Sequence, residues 1–143
     1  LPALLNYKLM AEENSLYNTP PTFAIYMIML VTDWLLSEFG TLDAIALHNQ
    51  KKAALVYKVI DESNGFYRGH AHKEWRSNMN VTWRLPSEDL EKEFIQEAKT
   101  AGLAELKGHR SVGGCRASIY NAMPVVGVES LCKFMKEFQQ KKG

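Results

Sequence analysis

The sequence predicts an α+β domain, α/β in the broad sense, whose antiparallel or mixed sheet carries helices on one face. The predicted elements run helix, helix, strand, strand, helix, strand, strand, helix, and the strands are short with hairpin-like links. Of the 143 residues 46% are hydrophobic, and the formal net charge is +1. This composition fits one domain with its own core, and the low net charge argues against a nucleic-acid partner held by bulk electrostatics.

Residues 1–18 read as an irregular lead-in, and the only candidate domain boundary lies near its end, with residues 19–143 forming the domain that follows. The run Asn18-Thr19-Pro20-Pro21-Thr22 predicts a helix start. Thr19 suits the N-cap, and Pro20 suits the first helical position, where a missing N–H costs nothing. A helix start can also bind an anion, although on chemistry alone ordinary capping is favoured.

This first helix should run to about Glu38 and end at Gly40. It is apolar almost all round from Phe23 to Val31, so we expect it to be buried on most sides. In a lone domain of this size, another domain or subunit is the favoured cover. The apolar run is too short to span a bilayer, so no membrane partner is expected.

A second helix should run from a cap at Thr41 to about Glu62, with its lysines (Lys51, Lys52, Lys58) on a solvated face. A short strand over Phe66–His70 and a polar loop follow. His70 and His72 could share a face as metal ligands, but no third ligand is near, so no metal site is expected.

Clean alternation predicts a strand over Met79–Leu85, with Met79, Val81, Trp83 and Leu85 inward. Ser87 should cap a helix over Glu88–Ala101, and Leu103–Lys107 should form another strand. After Pro124 comes a last helix, whose apolar positions at helical spacing are Val128, Leu131, Cys132, Met135 and Phe138.

The run from Gly108 to Pro124 is the most informative stretch. It places His109, Arg110 and Arg116 around a Gly-Gly turn that leads into a strand. Alternation puts Cys115, Ala117 and Ile119 on the core side and Arg116, Ser118 and Tyr120 on the polar side. Arg116 would then present its fork of donors to a carboxylate or phosphate from a rigid element; a basic hairpin with solvated arginines is an equal alternative on chemistry alone.

Cys115 and Cys132 lie in apolar surroundings, and their spacing fits neither a redox pair nor a zinc site. We expect buried thiols, which weakly favours a reducing, cytoplasmic setting. No signal peptide is visible at the start of the chain.

Several motifs, in one order over nearly the whole chain, resemble the phosphoserine aminotransferase family. They are Ser15-Leu16-Tyr17-Asn18-Thr19-Pro20-Pro21-Thr22, Asn64-Gly65-Phe66-Tyr67, Arg76-Ser77-Asn78-Met79-Asn80-Val81, and Leu103 to Pro124. The resemblance covers only the C-terminal portion of that family. It implies the small C-terminal domain of a fold type I, class V, pyridoxal-phosphate-dependent enzyme that works as a homodimer.

The reaction that the resemblance implies exchanges an amino group between O-phosphoserine with 2-oxoglutarate and 3-phosphohydroxypyruvate with glutamate. It serves serine synthesis and, in some bacteria, pyridoxine synthesis. By position, Asn18 and Thr19 match residues that bind the cofactor phosphate of the partner subunit. Arg116 matches the arginine that holds the substrate α-carboxylate, and His109 and Arg110 match residues near the distal anionic group.

In this family the lysine that forms the Schiff base with the cofactor lies upstream of the segment matching residue 1. No lysine in this chain has the surrounding motif, so the chain alone should have no aminotransferase activity. The alternative hypothesis is a stand-alone anion-binding regulatory module without catalysis, suggested by the missing lysine and the intact arginines.

Overall fold

In a computed structural model, which describes residues 2–143, the chain divides into two compact units. The first ends at Leu42, and the second comprises Asp43–Gly143. Each is described by itself. The predicted boundary after residue 18 stays a prediction.

The prediction that the lead-in is irregular is wrong. It contains a 3-10 turn over Ala3–Leu5 and a short helix α1 over Tyr7–Glu12. Asn6 caps this helix, its side chain accepting a 3.3 Å hydrogen bond from the backbone of Leu9. Residue 1 lies outside the described residues.

The first long helix, α2, spans Thr22–Phe39 and ends at Gly40, whose φ is +75°. The predicted start with Thr19 as cap and Pro20 as first helical residue is wrong, because Pro21 stands at the N-cap position and makes no side-chain cap hydrogen bond. The cause is local: a residue that precedes proline is pushed out of the helical region, so Pro20 cannot begin a helix before Pro21.

No residue of α2 is buried within this chain. The chain itself therefore does not wrap the helix, and the favoured expectation, cover by another domain or subunit, stays a prediction. Phe23 is 76% exposed and Ile28 64% exposed. The helix has 18 residues and a mean hydropathy of 1.4, so by length and composition alone it could cross a membrane, a test that core helices also pass. The apolar run predicted to be too short thus lies in a longer helix.

The second unit contains the sheet and three α-helices, the first of which begins at Leu42, the last residue of the first unit. The elements are α3 (Leu42–Asp61), β1 (Arg68–Gly69), a 3-10 turn (Lys73–Trp75), β2 (Asn80–Arg84), α4 (Glu88–Thr100), β3 (Cys115–Ser118) and α5 (Val125–Lys142). The sheet is antiparallel in the order β1-β2-β3. Ser87 caps α4 as predicted, its hydroxyl accepting from the backbone of Leu90 at 3.2 Å. The predicted α+β class is confirmed.

One core joins the three helices to the inward face of the sheet. It contains Val81, Trp83 and Leu85 around β2, Cys115, Ala117 and Ile119 along β3, and the five predicted apolar positions of α5. Both sets alternate or repeat as the sequence predicts, so the opposite sheet face is left to polar side chains. Met79 is only half-buried.

Two predictions fail in this unit. Leu103–Lys107 is not a strand: only Lys107 makes an isolated bridge, to Cys115, because Glu105 has φ +60° and interrupts the extended backbone. Lys52 is not solvated but fully buried, and its ammonium donates to the carbonyls of Tyr120 (2.7 Å) and Met123 (3.0 Å). Burial lowers the pKa of Lys52.

Candidate functional site

The site is built on the polar face of β3 and on the loop that precedes this strand. Arg116 lies directly opposite Thr82 in the pairing of β2 and β3, and the backbone N–H of Arg116 donates to the carbonyl of Leu106 at 2.8 Å. Its side chain is therefore held at a fixed register position on the sheet, as the alternation predicted.

Arg116 is half-buried, and its Nε is buried without a hydrogen-bond partner within residues 2–143. The structure shows no ion pair for this residue in the described part of the chain. A buried donor that lacks a partner costs free energy unless a ligand supplies the acceptor, so Arg116 has the properties of an anion-binding arginine.

A polar network lies beside Arg116 on the same face. The Asn80 side-chain oxygen accepts from the hydroxyls of Ser118 (3.2 Å) and Tyr120 (3.3 Å). Asn80 lies opposite Ser118 in the sheet register. These contacts fix the side chains that flank Arg116, while leaving its guanidinium unpaired.

The loop before β3 presents His109 and Arg110. It is closed by a 2.8 Å hydrogen bond from the Gly108 N–H to the Gly114 carbonyl, and the N–H groups of Val112 and Gly113 both donate to the carbonyl of His109. His109 and Arg110 are exposed, and Arg110 makes no hydrogen bond or ion pair that the described residues show. Both side chains are thus available to a ligand.

Ser111 sets the tautomer of His109. The Ser111 N–H donates to His109 Nδ1 at 3.3 Å, and the Ser111 hydroxyl lies 2.7 Å from the same atom. Because Nδ1 accepts a hydrogen bond, the proton of the neutral ring is on Nε2. His109 Nε2 is therefore the ring nitrogen that remains to donate to an anion.

The predicted site residues fall into two groups. His109, Arg110 and Arg116 lie on one loop and the strand that follows it, in the second unit. Asn18 and Thr19 lie in the first unit, exposed, between α1 and α2. Thr19 does not cap α2, and the N–H of Thr22, the first helical residue, donates to the Pro20 carbonyl at 2.7 Å. The N–H groups of Phe23 and Ala24 have no hydrogen-bond partner among the described residues.

An ion pair beside the loop was missed from the sequence. Arg84 donates through Nε to Glu91 at 2.5 Å and through Nη1 to the carbonyl of Val112 at 3.0 Å. Together with the loop these residues line an open cavity of about 500 Å³. Arg84 could have been noticed as a polar-face residue of an alternating strand, but nothing in the sequence singles out Glu91.

Both cysteines are buried free thiols, as predicted. Burial raises the pKa of Cys115 to about 12 and that of Cys132 to about 11, so neither thiol is readily ionised to a nucleophilic thiolate.

Among residues 2–143 there is no cluster of three or more His, Cys, Asp or Glu side chains that could hold a metal ion.

Comparison with known proteins assigns this arrangement to a family. The aminotransferase class-V family matches residues 2–131. The chain belongs to the class-V aminotransferases.

Within that family the similar proteins are phosphoserine aminotransferases. The Geobacillus kaustophilus protein of that name is 56% identical over 141 residues, which is 99% of this chain and 39% of the relative. A solved phosphoserine aminotransferase from Bacillus circulans subsp. alkalophilus superposes with a TM-score of 0.90 at 51% identity, over 100% of this chain and 39% of that one. A phosphoserine aminotransferase from Trichomonas vaginalis, described as bound to pyridoxal phosphate, gives a TM-score of 0.83 at 39% identity, over 95% and 39% of the two chains.

The chain thus spans about two fifths of the length of these relatives and matches their C-terminal part. The resemblance inferred from the motifs is confirmed.

Proposed function

We propose that this chain is the C-terminal, substrate-gripping part of a phosphoserine aminotransferase. The full enzyme exchanges an amino group between O-phosphoserine with 2-oxoglutarate and 3-phosphohydroxypyruvate with glutamate. The observation that carries the proposal is the unpaired Arg116 on β3, next to a loop that displays His109 and Arg110. Every substrate of this reaction carries an anionic group at each end, and the three side chains provide positive or donating groups at two separate points.

In this assignment Arg116 holds the α-carboxylate. Its fixed place opposite Thr82 and its unsatisfied Nε suit a planar, two-point contact to a carboxylate. His109 and Arg110 contact the distal group, which is the phosphate of O-phosphoserine or the side-chain carboxylate of glutamate. Gripping the substrate at both ends orients the bond that must break and lowers the entropic part of the barrier.

The cofactor of the proposed enzyme is pyridoxal 5′-phosphate, which supplies the electron sink for amino-group transfer. Asn18 and Thr19 would hold its phosphate, together with the first N–H groups of α2. The residues present fit this role, because the N–H groups of Phe23 and Ala24, at a helix start with a partial positive charge, lack partners among the described residues, whereas that of Thr22 is bonded to Pro20. The lysine that bonds to the cofactor belongs to the upstream part of the enzyme.

The enzyme is further proposed to be a cytoplasmic homodimer of the serine pathway, in which Asn18 and Thr19 serve the cofactor phosphate of the partner subunit. Pyridoxine synthesis would be a second role in some bacteria. The exposed apolar face of α2 supports the homodimer, because in the full enzyme the upstream part or the second subunit would cover this face. No observation favours the stand-alone regulatory module.

The direct test is the full-length protein that contains this chain. Purified and loaded with pyridoxal phosphate, it should form glutamate from O-phosphoserine and 2-oxoglutarate, and apoprotein should regain that activity when the cofactor is added back. Turnover of alanine or aspartate without turnover of O-phosphoserine would refute the substrate assignment.

A second experiment separates the enzyme from the regulatory module. Calorimetric titration of the 143-residue chain with O-phosphoserine should give weak or undetectable heat, because the proposed site is completed by residues outside the chain. Tight binding by the chain alone would favour the module.

A further inference from the structure

The loop that carries His109 and Arg110 has a single external hydrogen-bond anchor. Within residues 2–143, residues 109–113 bond to one another and to one outside group only, the Arg84 guanidinium, which donates to the Val112 carbonyl at 3.0 Å. The loop is otherwise exposed. Its position therefore depends on where Arg84 is held.

Glu91 holds Arg84. One carboxylate oxygen of Glu91 accepts both from Arg84 Nε, at 2.5 Å, and from the backbone N–H of Leu85, at 3.2 Å. The Glu91 side chain is only 8% exposed, and it lies in the first turn of α4, where a negative charge is favoured. The Arg84 charge is thus paired with a buried carboxylate, which leaves Arg110 as the arginine of the cavity lining without an ion pair among the described residues.

The backbone of the loop also lies against the Arg84 side chain. A Cβ built on Gly114 would lie 2.5 Å from Arg84 Cδ and 2.6 Å from the carbonyl oxygen of Trp83. One built on Gly113 would lie 3.3 Å from Arg84 Nη1. Both glycines have a positive φ, +73° at Gly113 and +69° at Gly114, which other residues rarely adopt. The Gly-Gly turn is therefore shaped to fit over Arg84.

We propose that Arg84 and Glu91 form a clamp that positions the loop from His109 to Gly114, so that His109 and Arg110 meet the distal anion of the substrate in a prepared geometry. Arg84 is a positioning residue in this proposal, because it acts through its contact with the loop backbone. The clamp rests on the proposed function for its consequence in catalysis, but its effect on the loop stands apart from it. A loop that already has its bound conformation loses less conformational entropy when the substrate binds, so more of the interaction free energy appears as affinity.

The first test measures the loop without substrate. Hydrogen exchange in the full-length enzyme should show that Arg84→Ala speeds exchange of the amides at Gly108, Val112 and Gly113 at least tenfold. Arg76→Ala is the matched control, because Arg76 makes a comparable pair with Asp61, at 2.8 and 2.6 Å, away from the loop. Loop exchange should stay at the wild-type rate in this control.

Conservative variants keep the test sharp. Arg84→Lys can still meet Glu91 but cannot also reach Val112 with a fork of donors, so its loop should exchange as fast as that of Arg84→Ala. Glu91→Gln, which retains an acceptor oxygen, should give a smaller increase. If Arg84→Ala lowers stability throughout the protein, these two variants decide the question. Wild-type exchange at the three amides in folded Arg84→Lys would overturn the clamp.

Kinetics then link the clamp to the substrate. In an active wild-type enzyme, Arg84→Lys should raise the KM for O-phosphoserine about tenfold or more while changing kcat less, because the grip on the distal group is weakened. A tenfold fall in kcat with an unchanged KM for O-phosphoserine would contradict the positioning role. An inactive wild-type enzyme would refute the proposed function, whereas the exchange result would still judge the clamp.

Discussion

Lys52 Nζ donates a 2.7 Å hydrogen bond to the carbonyl of Tyr120, across 68 positions of sequence. It donates a second bond to Met123, and Asn49, one turn earlier on α3, donates to Asn121 at 2.7 Å. The segment that follows β3 is therefore bonded to α3 by buried donors. Since Arg116 lies four residues before Tyr120, this fastening helps to fix the strand that carries the proposed carboxylate-binding arginine.

We expect Lys52→Ala to destabilise the protein by about 2–5 kcal/mol, because it removes a fully packed side chain and two carbonyl partners. Relief of the buried charge, which the lowered pKa reflects, offsets part of this loss. Lys51→Ala, at the exposed neighbouring position, should change the free energy of unfolding by less than about 0.5 kcal/mol. Urea unfolding of both variants checks the prediction, and equal midpoints for the two would contradict it.

Arg116→Ala in the full-length enzyme should lower kcat/KM. The loss of transition-state stabilisation should be about 2–5 kcal/mol, the usual cost of removing one partner from a shielded charge pair. This corresponds to roughly thirtyfold at the least. Arg116→Lys should restore only part of the loss, because an ammonium cannot make the planar two-point contact. Lys133→Ala removes the same charge from an exposed pair on α5 and is the control. Activity of Arg116→Ala within twofold of wild type would remove Arg116 from the site.

The sequence predicted those parts of the fold in which one local pattern determines the outcome. Period-two alternation located β2 and β3, and helical spacing identified every buried position of α5. The prediction that failed at Leu103–Lys107 did so because a positive φ at Glu105 is not encoded by hydrophobicity. Likewise, the predicted helix start at Pro20 failed because Pro21 disfavours the helical conformation at the residue before it.

The site shows the same division. The motif around Arg116 pointed to an anion, but the partners that position it come from distant parts of the chain. Lys52 looked like one of three solvated lysines, and Glu91 looked like one of three acidic residues at a helix start. Their roles arise only when α3 and α4 pack against the sheet, so no local pattern could have revealed them.

The buried thiols should be unreactive and should make the protein sensitive to alkali. Burial raises the pKa of Cys115 to about 12 and that of Cys132 to about 11, from an ordinary 9.0, so at pH 8 few native thiols are ionised. The folded state favours the neutral thiols, so this contribution to stability is complete below about pH 9 and is lost as pH rises towards the native pKa values. A disulfide reagent at pH 8 should label both cysteines quickly only in denaturant.

The pH dependence has its own control. Cys115→Ala should flatten the fall in unfolding free energy between about pH 9 and pH 12, although Tyr67, whose pKa burial also raises, will contribute to what remains. Rapid labelling of Cys115 in the native protein would contradict the burial of its thiol.

The exposed apolar surface of α2 should make the 143-residue chain self-associate when it is produced alone. Phe23, Ile28 and Leu36 are 76%, 64% and 57% exposed, and contiguous apolar surface of this kind usually marks a contact that the isolated piece lacks. Sedimentation at increasing concentration should therefore show dimers or larger species, with strong binding of a hydrophobic dye.

Ile28→Ser combined with Leu36→Ser should shift the chain towards monomer. Trp75→Ser removes an equally exposed apolar side chain in the second unit and should leave association unchanged. A wild-type chain that stays monomeric and binds no dye would show that α2 needs no cover, and would weaken the case that the rest of a longer enzyme packs on it.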